Sequence, residues 1–147
     1  MNSGEDFYLQ VAYALTGCQL VEQRLKLYIS EALELARKCV GRRMTFKLSG
    51  EDYEDASLER LIEGFRKFTN NDALVTELRK FKAERNYLSH KGIAHCLDLM
   101  GDLDESAAAD FKIRLHAIQA EAQRLERAIH DEAAKYLGYL YFGEFPE

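Results

Sequence analysis

The sequence predicts an all-α fold, an up-and-down bundle of four to five helices that forms a single domain over residues 1–147. Three observations favour it. The chain has 147 residues, of which 47% are hydrophobic and 31% charged, and a chain of this size can bury a substantial core as one domain. Its only proline is Pro146, so no proline interrupts a helix inside the chain. Long stretches repeat apolar residues at alternating steps of three and four, the spacing that keeps side chains on one helix face.

The longest periodic stretches lie toward the two ends of the chain. One predicts a first helix near residues 5–39, and the other predicts a last helix near 104–138. The first stripe consists of Phe7, Val11, Ala14, Cys18, Val21, Leu25, Tyr28, Ala32, Leu35 and Cys39. The second consists of Phe111, Leu115, Ile118, Ala122, Leu125 and Ile129. Asp102 and Glu105 are spaced like a capping box at the start of the last helix. Each apolar stripe must be buried against another, which favours a bundle.

The middle of the chain predicts a connection and a short helix. Residues 40–56 contain Gly41, Gly50 and mixed charges, which is typical of a loop, with a short extended piece expected around residues 44–48. Ser57 is placed to cap the short helix that follows. The apolar face of that helix consists of Leu58, Leu61, Ile62, Phe65 and Phe68.

A third long helix is predicted over residues 73–97, and its apolar seam contains one arginine. The seam consists of Leu74, Leu78, Phe81, Leu88 and Gly92, and the same spacing includes Arg85. Arginine is almost never fully buried without a partner. The side chain is therefore expected either to extend over the seam to solvent, or to pair with Glu84 or with a carboxylate from another helix, or else to serve a function.

Charge and cysteine content exclude several classes of protein. Twenty Lys and Arg against twenty-five Asp and Glu give a net charge of -5, which argues against coating nucleic acid by bulk electrostatics but leaves a local basic patch open. Cys18, Cys39 and Cys96 are odd in number and lack a CxxC spacing, so neither a disulfide framework nor a zinc finger is expected. They are expected to be small, buried apolar residues in a reducing cytoplasm.

Membrane and metal sites are not expected either. The longest early uncharged stretch, residues 7–21, is too short and too polar for a membrane span and lacks the flanks of a signal peptide. No Glu-x-x-His or His-Glu-x-x-His string occurs, and no glycine-rich phosphate loop. We therefore predict no metal and no cofactor.

The arginine on the third seam begins the string Arg85-Asn86-Tyr87-Leu88-Ser89-His90. The stretch Glu84–Gly92 resembles the Arg-X(4–6)-His signature of the HEPN superfamily, in which a polar residue, often Asn, follows the arginine. The resemblance implies a small all-α bundle, a homodimer in which the motif helices face each other, and metal-independent endoribonuclease activity. It also implies a toxin–antitoxin, stress or phage-defence role, with an antitoxin protein as a partner.

Spacing alone does not distinguish this motif. A chain of this composition is expected to contain about one such pair by chance, and Arg124 with His130 forms a second match on an ordinary amphipathic face. The context of Arg85 and His90 is what separates them. The segment from Arg79 to Lys91 contains five basic residues against one acidic residue in an otherwise acidic chain.

The motif residues have the chemistry that RNA cleavage needs. Histidine exchanges protons near neutral pH, so His90 can take the proton of a ribose 2′-hydroxyl or protonate the leaving oxygen. Arg85 can hold the phosphate and stabilise the charge of the transition state. On an α-helix the two lie about 140° apart, whereas Asn86 shares a face with His90 and can hold the imidazole. Lys82 and Lys91 are expected to bind the substrate.

A second basic run lies at the end of the first helix. Arg37, Lys38, Arg42, Arg43 and Lys47 have no acid among them. Arg42 and Arg43 are therefore predicted to contact RNA phosphates. Basic residues near a helix C-terminus also interact favourably with the helix dipole, and this alternative remains open.

Two further alternatives remain. The chain could be a catalytically inactive helical module that binds a protein or nucleotide partner, because one fold can host many functions. The aromatic residues near the C-terminus, which are Tyr136, Tyr139, Tyr141, Phe142 and Phe145, predict either core packing or a subunit or partner surface.

Overall fold

The periodic stretches fold as α-helices in the computed structural model, which describes residues 3–92 and 105–146. The helices are α1 (Ser3–Val40), α2 (Leu58–Arg66), α3 (Asp72–Tyr87) and α4 (Glu105–Phe142). The loop between α1 and α2 contains a 3-10 helix, Gly50–Tyr53. The all-α class is confirmed, the described ranges contain no strand, and residues 45–49, in the predicted extended piece, have no regular secondary structure.

Helix ends follow local capping. The Ser57 hydroxyl accepts a hydrogen bond from the backbone N–H of Arg60 at 3.3 Å and begins α2, as predicted. The third helix differs from its prediction, because α geometry stops at Tyr87 and a π-helix, Leu88–Gly92, follows. The predicted continuation over 93–97 lies outside the described residues, as do Cys96 and the Asp102 of the predicted capping box.

Helices α1 and α4 form the main packing pair and run parallel. Near their starts the Lys112 ammonium lies 3.1 Å from the Asp6 carboxylate, and near their ends the Lys38 ammonium donates to the Leu140 carbonyl at 3.2 Å. A four-helix up-and-down bundle would place these two helices antiparallel, so that form of the predicted topology is not found among the described helices.

The long connection after α1 explains this topology. It turns back along α1, where Gly50 packs so closely on Ser30 that a Cβ at position 50 would lie 2.4 Å from the Ser30 hydroxyl oxygen. Helix α2 therefore begins beside the middle of α1 and runs in the same direction. Of the described helices, only α3 runs the opposite way, as its contacts with α4 show: the Asn71 amide before its start donates to Glu132, and Glu84 near its end accepts from Arg114.

The predicted apolar stripes form the core. Every member of the α4 stripe is buried, as is the α1 stripe from Phe7 to Ala32, whereas Leu35 is half-buried and Cys39 is exposed. Aromatic rings fill the space between α1, α2 and α4, with Tyr28 in edge-on contact with Phe65 at 4.7 Å and with Tyr136 at 5.2 Å between ring centroids. The core thus depends on burial that the sequence pattern predicts. None of the helices in the described ranges has a stretch that is both apolar enough and long enough to cross a bilayer.

One carboxylate is buried within this framework and ties the α2–α3 turn to α4. Glu132 is only 7% exposed. It accepts hydrogen bonds from the Thr69 hydroxyl at 3.0 Å, the Asn71 amide at 2.9 Å and the Lys135 ammonium at 2.7 Å. Burial opposes its ionisation, but the hydrogen bonds from Lys135, Asn71 and Thr69 outweigh that effect and hold the pKa of Glu132 below its ordinary value.

We expect Glu132→Ala to lower the free energy of unfolding by about 1–3 kcal/mol, because it leaves the Thr69 and Asn71 donors without their acceptor. Since the pKa of Glu132 is lowered on folding, its contribution is present above the ordinary glutamate pKa of about 4.3 and is lost as the pH falls through the folded-state value. Urea denaturation at neutral pH and at about pH 3 measures both effects. Glu54→Ala, at an exposed glutamate, is the control, and an equal loss in that variant would contradict this assignment.

Candidate active site at the end of the third helix

Arg85 lies between α3 and α1, where the seam predicted it. Its Nε donates to the Glu22 carboxylate at 3.1 Å, with the Arg85 side chain 34% exposed and that of Glu22 18% exposed. Arg85 therefore pairs with a carboxylate from another helix, which is one of its predicted partners, and not with Glu84. The contact uses Nε, and a guanidinium also carries two terminal nitrogens that can donate to an anion.

Glu84 has a different role. It accepts from Arg114 Nε at 2.9 Å and from an Arg114 terminal nitrogen at 3.0 Å, and the same guanidinium stacks over the Tyr87 ring at 3.4 Å from its centroid. The last turn of α3 is therefore fixed to α4 by Arg114 on one side and to α1 by Arg85 on the other. Two anchored neighbours restrict the motion of the backbone that carries the motif.

The π-helix coincides with the second half of the motif. Leu88 is fully buried and begins the segment, while the side chains of Ser89, His90 and Lys91 are exposed. A π-turn closes a hydrogen bond between residues five apart, so each residue advances around the axis by less than in an α-helix. With this smaller advance, position 90 lies less than the α-helical 140° from position 85 around the helix axis. Such π-segments occur frequently at functional sites.

Asn86 is exposed, as is His90. The contacts of the described residues do not include a hydrogen bond between the Asn86 amide and the His90 imidazole, which the predicted supporting role requires. The α-helical i to i+4 geometry behind that prediction is interrupted at Leu88, where the π-helix begins. A role for Asn86 in holding the imidazole thus needs RNA or a second copy of the chain to bring the groups together.

The predicted substrate-binding residues divide into two regions. Lys82 and Lys91 lie on the motif segment, where Lys91 is exposed and Lys82 pairs with Glu59 of α2. Arg42 and Arg43 are exposed beyond the end of α1. Val40, the last residue of α1, is about 27 Å along the axis from Glu22, the partner of Arg85, at 1.5 Å per residue. The structure does not bring Arg42 and Arg43 to the motif, so the four residues belong to two separate regions.

The second sequence match serves as an internal comparison. The Arg124 guanidinium is engaged by Glu121 at 2.6 Å and by Glu77 at 3.0 Å. His130 lies on the continuous α-helix α4, where its Nδ1 is 3.5 Å from an Arg24 terminal nitrogen. Arg124 is therefore occupied by two carboxylates, and no π-turn interrupts the helix between Arg124 and His130.

A buried cysteine lies beside the Arg85–Glu22 ion pair. Cys18, one turn before Glu22 on α1, is 2% exposed. Burial raises the pKa of its thiol to about 11, although the nearby Arg85 charge opposes that shift. The Cys18 thiol therefore stays protonated and acts as a small apolar side chain under the ion pair.

Sequence reasoning missed Glu22. The only signal available was its position next to the core residue Val21 on α1, which places a carboxylate at the edge of the apolar stripe. Within the described residues, no group of three or more His, Cys, Asp or Glu side chains is arranged to hold a metal ion. No protein-family model, curated protein or solved structure matches this chain.

Proposed function

We propose that this protein is a metal-independent endoribonuclease of HEPN type, with Arg85 and His90 as its catalytic residues. One observation carries the proposal. A guanidinium fixed through its Nε, on a side chain that is 34% exposed, is followed by an exposed histidine on the π-turn that continues the same helix. That pairing supplies an anion-binding group and a proton-transfer group on neighbouring surface.

The reaction is transesterification at phosphorus. His90 takes the proton of the ribose 2′-hydroxyl, and the 2′-oxygen attacks the adjacent phosphorus. The bond from phosphorus to the 5′-oxygen breaks, and that oxygen leaves with a proton from a second acid. The products are a 2′,3′-cyclic phosphate and a 5′-hydroxyl. Arg85 binds the non-bridging oxygens, which gain negative charge in the transition state.

The second acid is supplied by a second copy of the chain. One copy offers one motif histidine, whereas a homodimer with facing motif helices offers two, which divide the acid and base roles. The exposed side chains of Asn86, Ser89 and Lys91 lie on this surface and are available to the second copy or to RNA. The HEPN resemblance extends the proposal to a cytoplasmic toxin or defence component that an antitoxin protein restrains.

Incubation of the purified protein with total RNA in the presence of EDTA tests this function. We expect discrete cleavage, because neither proposed catalytic group needs a metal. RNA that stays intact under these conditions, or that is cut only when a divalent metal is added, would contradict the proposal.

We assign Glu22 the role of positioning the Arg85 guanidinium. Two variants of Glu22 distinguish the effect of its hydrogen bond from that of its charge. Glu22→Gln keeps an oxygen that can accept from Arg85 Nε, whereas Glu22→Ala removes it. We expect Glu22→Ala to lower kcat about tenfold, with a smaller change in KM, because a misplaced guanidinium loses transition-state contacts. Glu22→Gln should retain most of the activity. Steady-state kinetics on a defined RNA measures the difference, and a rate increase in the Ala variant would mean that Glu22 instead inhibits Arg85.

A second candidate is the catalytically inactive module that binds a protein or nucleotide partner. The observation that favours it is the Arg85–Glu22 ion pair, which offsets the charge that phosphate binding would use. Expression in cells distinguishes the two. Growth arrest that Arg85→Ala or His90→Ala relieves supports the nuclease, whereas harmless expression of the unaltered chain supports the module.

A further inference from the structure

A groove lies at the end of the bundle, between the end of α1 and the chain that follows α4. Its volume is about 440 Å³, within the range of small-ligand sites. The side chains that line it are Arg37, Lys38, Arg42, Leu140, Tyr141 and Phe145. We call it the basic–aromatic groove. It is separate from the Arg85 site, since it lies at the C-terminal end of α1, whereas Glu22 lies in the middle of that helix.

Every charged side chain that lines this groove is basic. Arg37 is partly neutralised, because Glu34 accepts from its Nε at 2.9 Å. Lys38 donates to the Leu140 carbonyl at 3.2 Å, so part of its role is to cap the end of α4. Arg42 and Arg43 have no carboxylate partner among the described residues and are exposed. The groove thus presents uncompensated positive charge on an acidic protein.

Two aromatic side chains, Tyr141 and Phe145, line the same groove, and Tyr139 and Phe142 are exposed near it in sequence. Tyr139 is 70% exposed, Tyr141 66% and Phe142 89%, so core packing does not account for them. The Phe145 ring lies 5.7 Å from the Lys38 ammonium, in cation–π range. Both interpretations of the aromatic C-terminus apply to part of it. Tyr136 packs against the core, whereas the three exposed rings are typical of a binding surface.

The groove continues past Tyr141. A second cavity of about 400 Å³ shares Arg37, Lys38, Leu140 and Tyr141 with it and extends along α1 to Gly50. Tyr141 therefore lies between two adjoining spaces, each large enough for a small planar group and its sugar. A chain of linked units suits this shape better than one compact ligand. Glu31 and Glu34 also line the second cavity, so phosphate contacts are expected only in the first groove.

We propose that the basic–aromatic groove binds single-stranded RNA. Phosphates contact Arg42 and Lys38, and bases stack on Tyr141 and Phe145, because positive charge interleaved with aromatic faces is the arrangement that single strands use. A duplex hides its base faces and cannot stack in this way. The choice of RNA as the ligand rests on the proposed function. The groove adds a second contact to a long RNA substrate, away from Arg85 and His90.

The test measures binding without cleavage. Fluorescence anisotropy is recorded in EDTA with a labelled single-stranded RNA of about 12 nucleotides, using the full chain carrying His90→Ala. We expect Tyr141→Ala to weaken Kd about tenfold, since stacking on one ring supports a loss of this size. Arg42→Glu should weaken Kd by a similar factor and reduce the salt dependence of binding.

Matched controls carry the same changes elsewhere on the surface. Tyr13→Ala removes an exposed tyrosine from α1, and Lys67→Glu reverses an exposed charge after α2. Both should change Kd by less than about twofold. Circular dichroism of each variant shows whether it is folded, and the exposed positions of Tyr141 and Arg42 make loss of folding unexpected.

The outcomes separate this inference from the proposed function. If the groove variants bind RNA more weakly but the unaltered chain cleaves no RNA, the groove inference is supported and the nuclease proposal is contradicted. If the chain cleaves RNA but Tyr141→Ala and Arg42→Glu bind it normally, the groove inference is overturned. Equal affinity for duplex and single-stranded RNA, or tighter binding of a polyglutamate peptide than of RNA, would also overturn it.

Discussion

Replacement of His90 by alanine is expected to lower RNA cleavage by about a thousandfold, within the 10²–10⁴-fold range that a positioned acid or base contributes. The side chain is exposed on the π-turn, so the variant should keep its helix content and its unfolding midpoint. Cleavage of a defined single-stranded RNA in EDTA, followed as initial rate, measures the loss. Arg85→Ala should show a comparable loss, and Arg85→Lys a partial one, because lysine keeps the charge but not the two terminal donors.

The matched control is His130→Ala. His130 is the histidine of the second sequence match, is exposed like His90, and lies on the regular helix α4. We expect this variant to cleave at the rate of the unaltered protein. Full activity in His90→Ala, or an equal loss in both histidine variants, would remove the catalytic role assigned to His90.

Replacement of Phe65 by alanine should lower the free energy of unfolding by about 3–5 kcal/mol. Phe65 is fully buried, and its ring contacts Tyr28 at 4.7 Å between centroids. Its burial fixes α2 to the bundle. This helix has nine residues and is too short to be stable without tertiary packing. Helix α2 in turn supports the motif helix, since its Glu63 pairs with Arg79 of α3 at 3.3 Å.

Phe142→Ala provides the comparison for this prediction. It makes the same chemical change at a ring that is 89% exposed, so the free energy of unfolding should change by less than about 0.5 kcal/mol. Urea denaturation of the two variants gives both numbers. Similar losses would mean that Phe142 is covered in solution and would contradict the exposed aromatic surface.

Sequence periodicity predicted the burial on the long helices because one physical rule, the 3.6-residue turn, decides it. Val11, Val21 and Leu125 were placed in the core by spacing alone and are buried. The relative direction of α1 and α4 was not predictable from this periodicity. Whether α4 runs parallel or antiparallel to α1 depends on the route of the intervening chain, which the close contact of Gly50 with Ser30 fixes. Helical stripes carry no information about that route.

The candidate site was predictable only in part, and for similar reasons. The seam placed Arg85 between helices and implied a carboxylate partner, but the choice of Glu22 depends on how α1 and α3 cross. The π-turn at Leu88 has no sequence signal of its own, so the α-helical relation between Asn86 and His90 was assumed where it does not hold. Arg42 was recognised as basic from the sequence, and only the fold separates it from the motif and brings it beside Tyr141.

The central claim is that Arg85 and His90 act on one RNA phosphodiester through the ribose 2′-hydroxyl. Mass spectrometry of the products of a defined single-stranded RNA, compared with the same sequence carrying 2′-O-methyl groups, tests it most directly. We expect the unmodified strand to yield 2′,3′-cyclic phosphate and 5′-hydroxyl ends, and the methylated strand to stay intact while competing for binding. Cleavage of the methylated strand, or products with 5′-phosphate ends, would contradict the account.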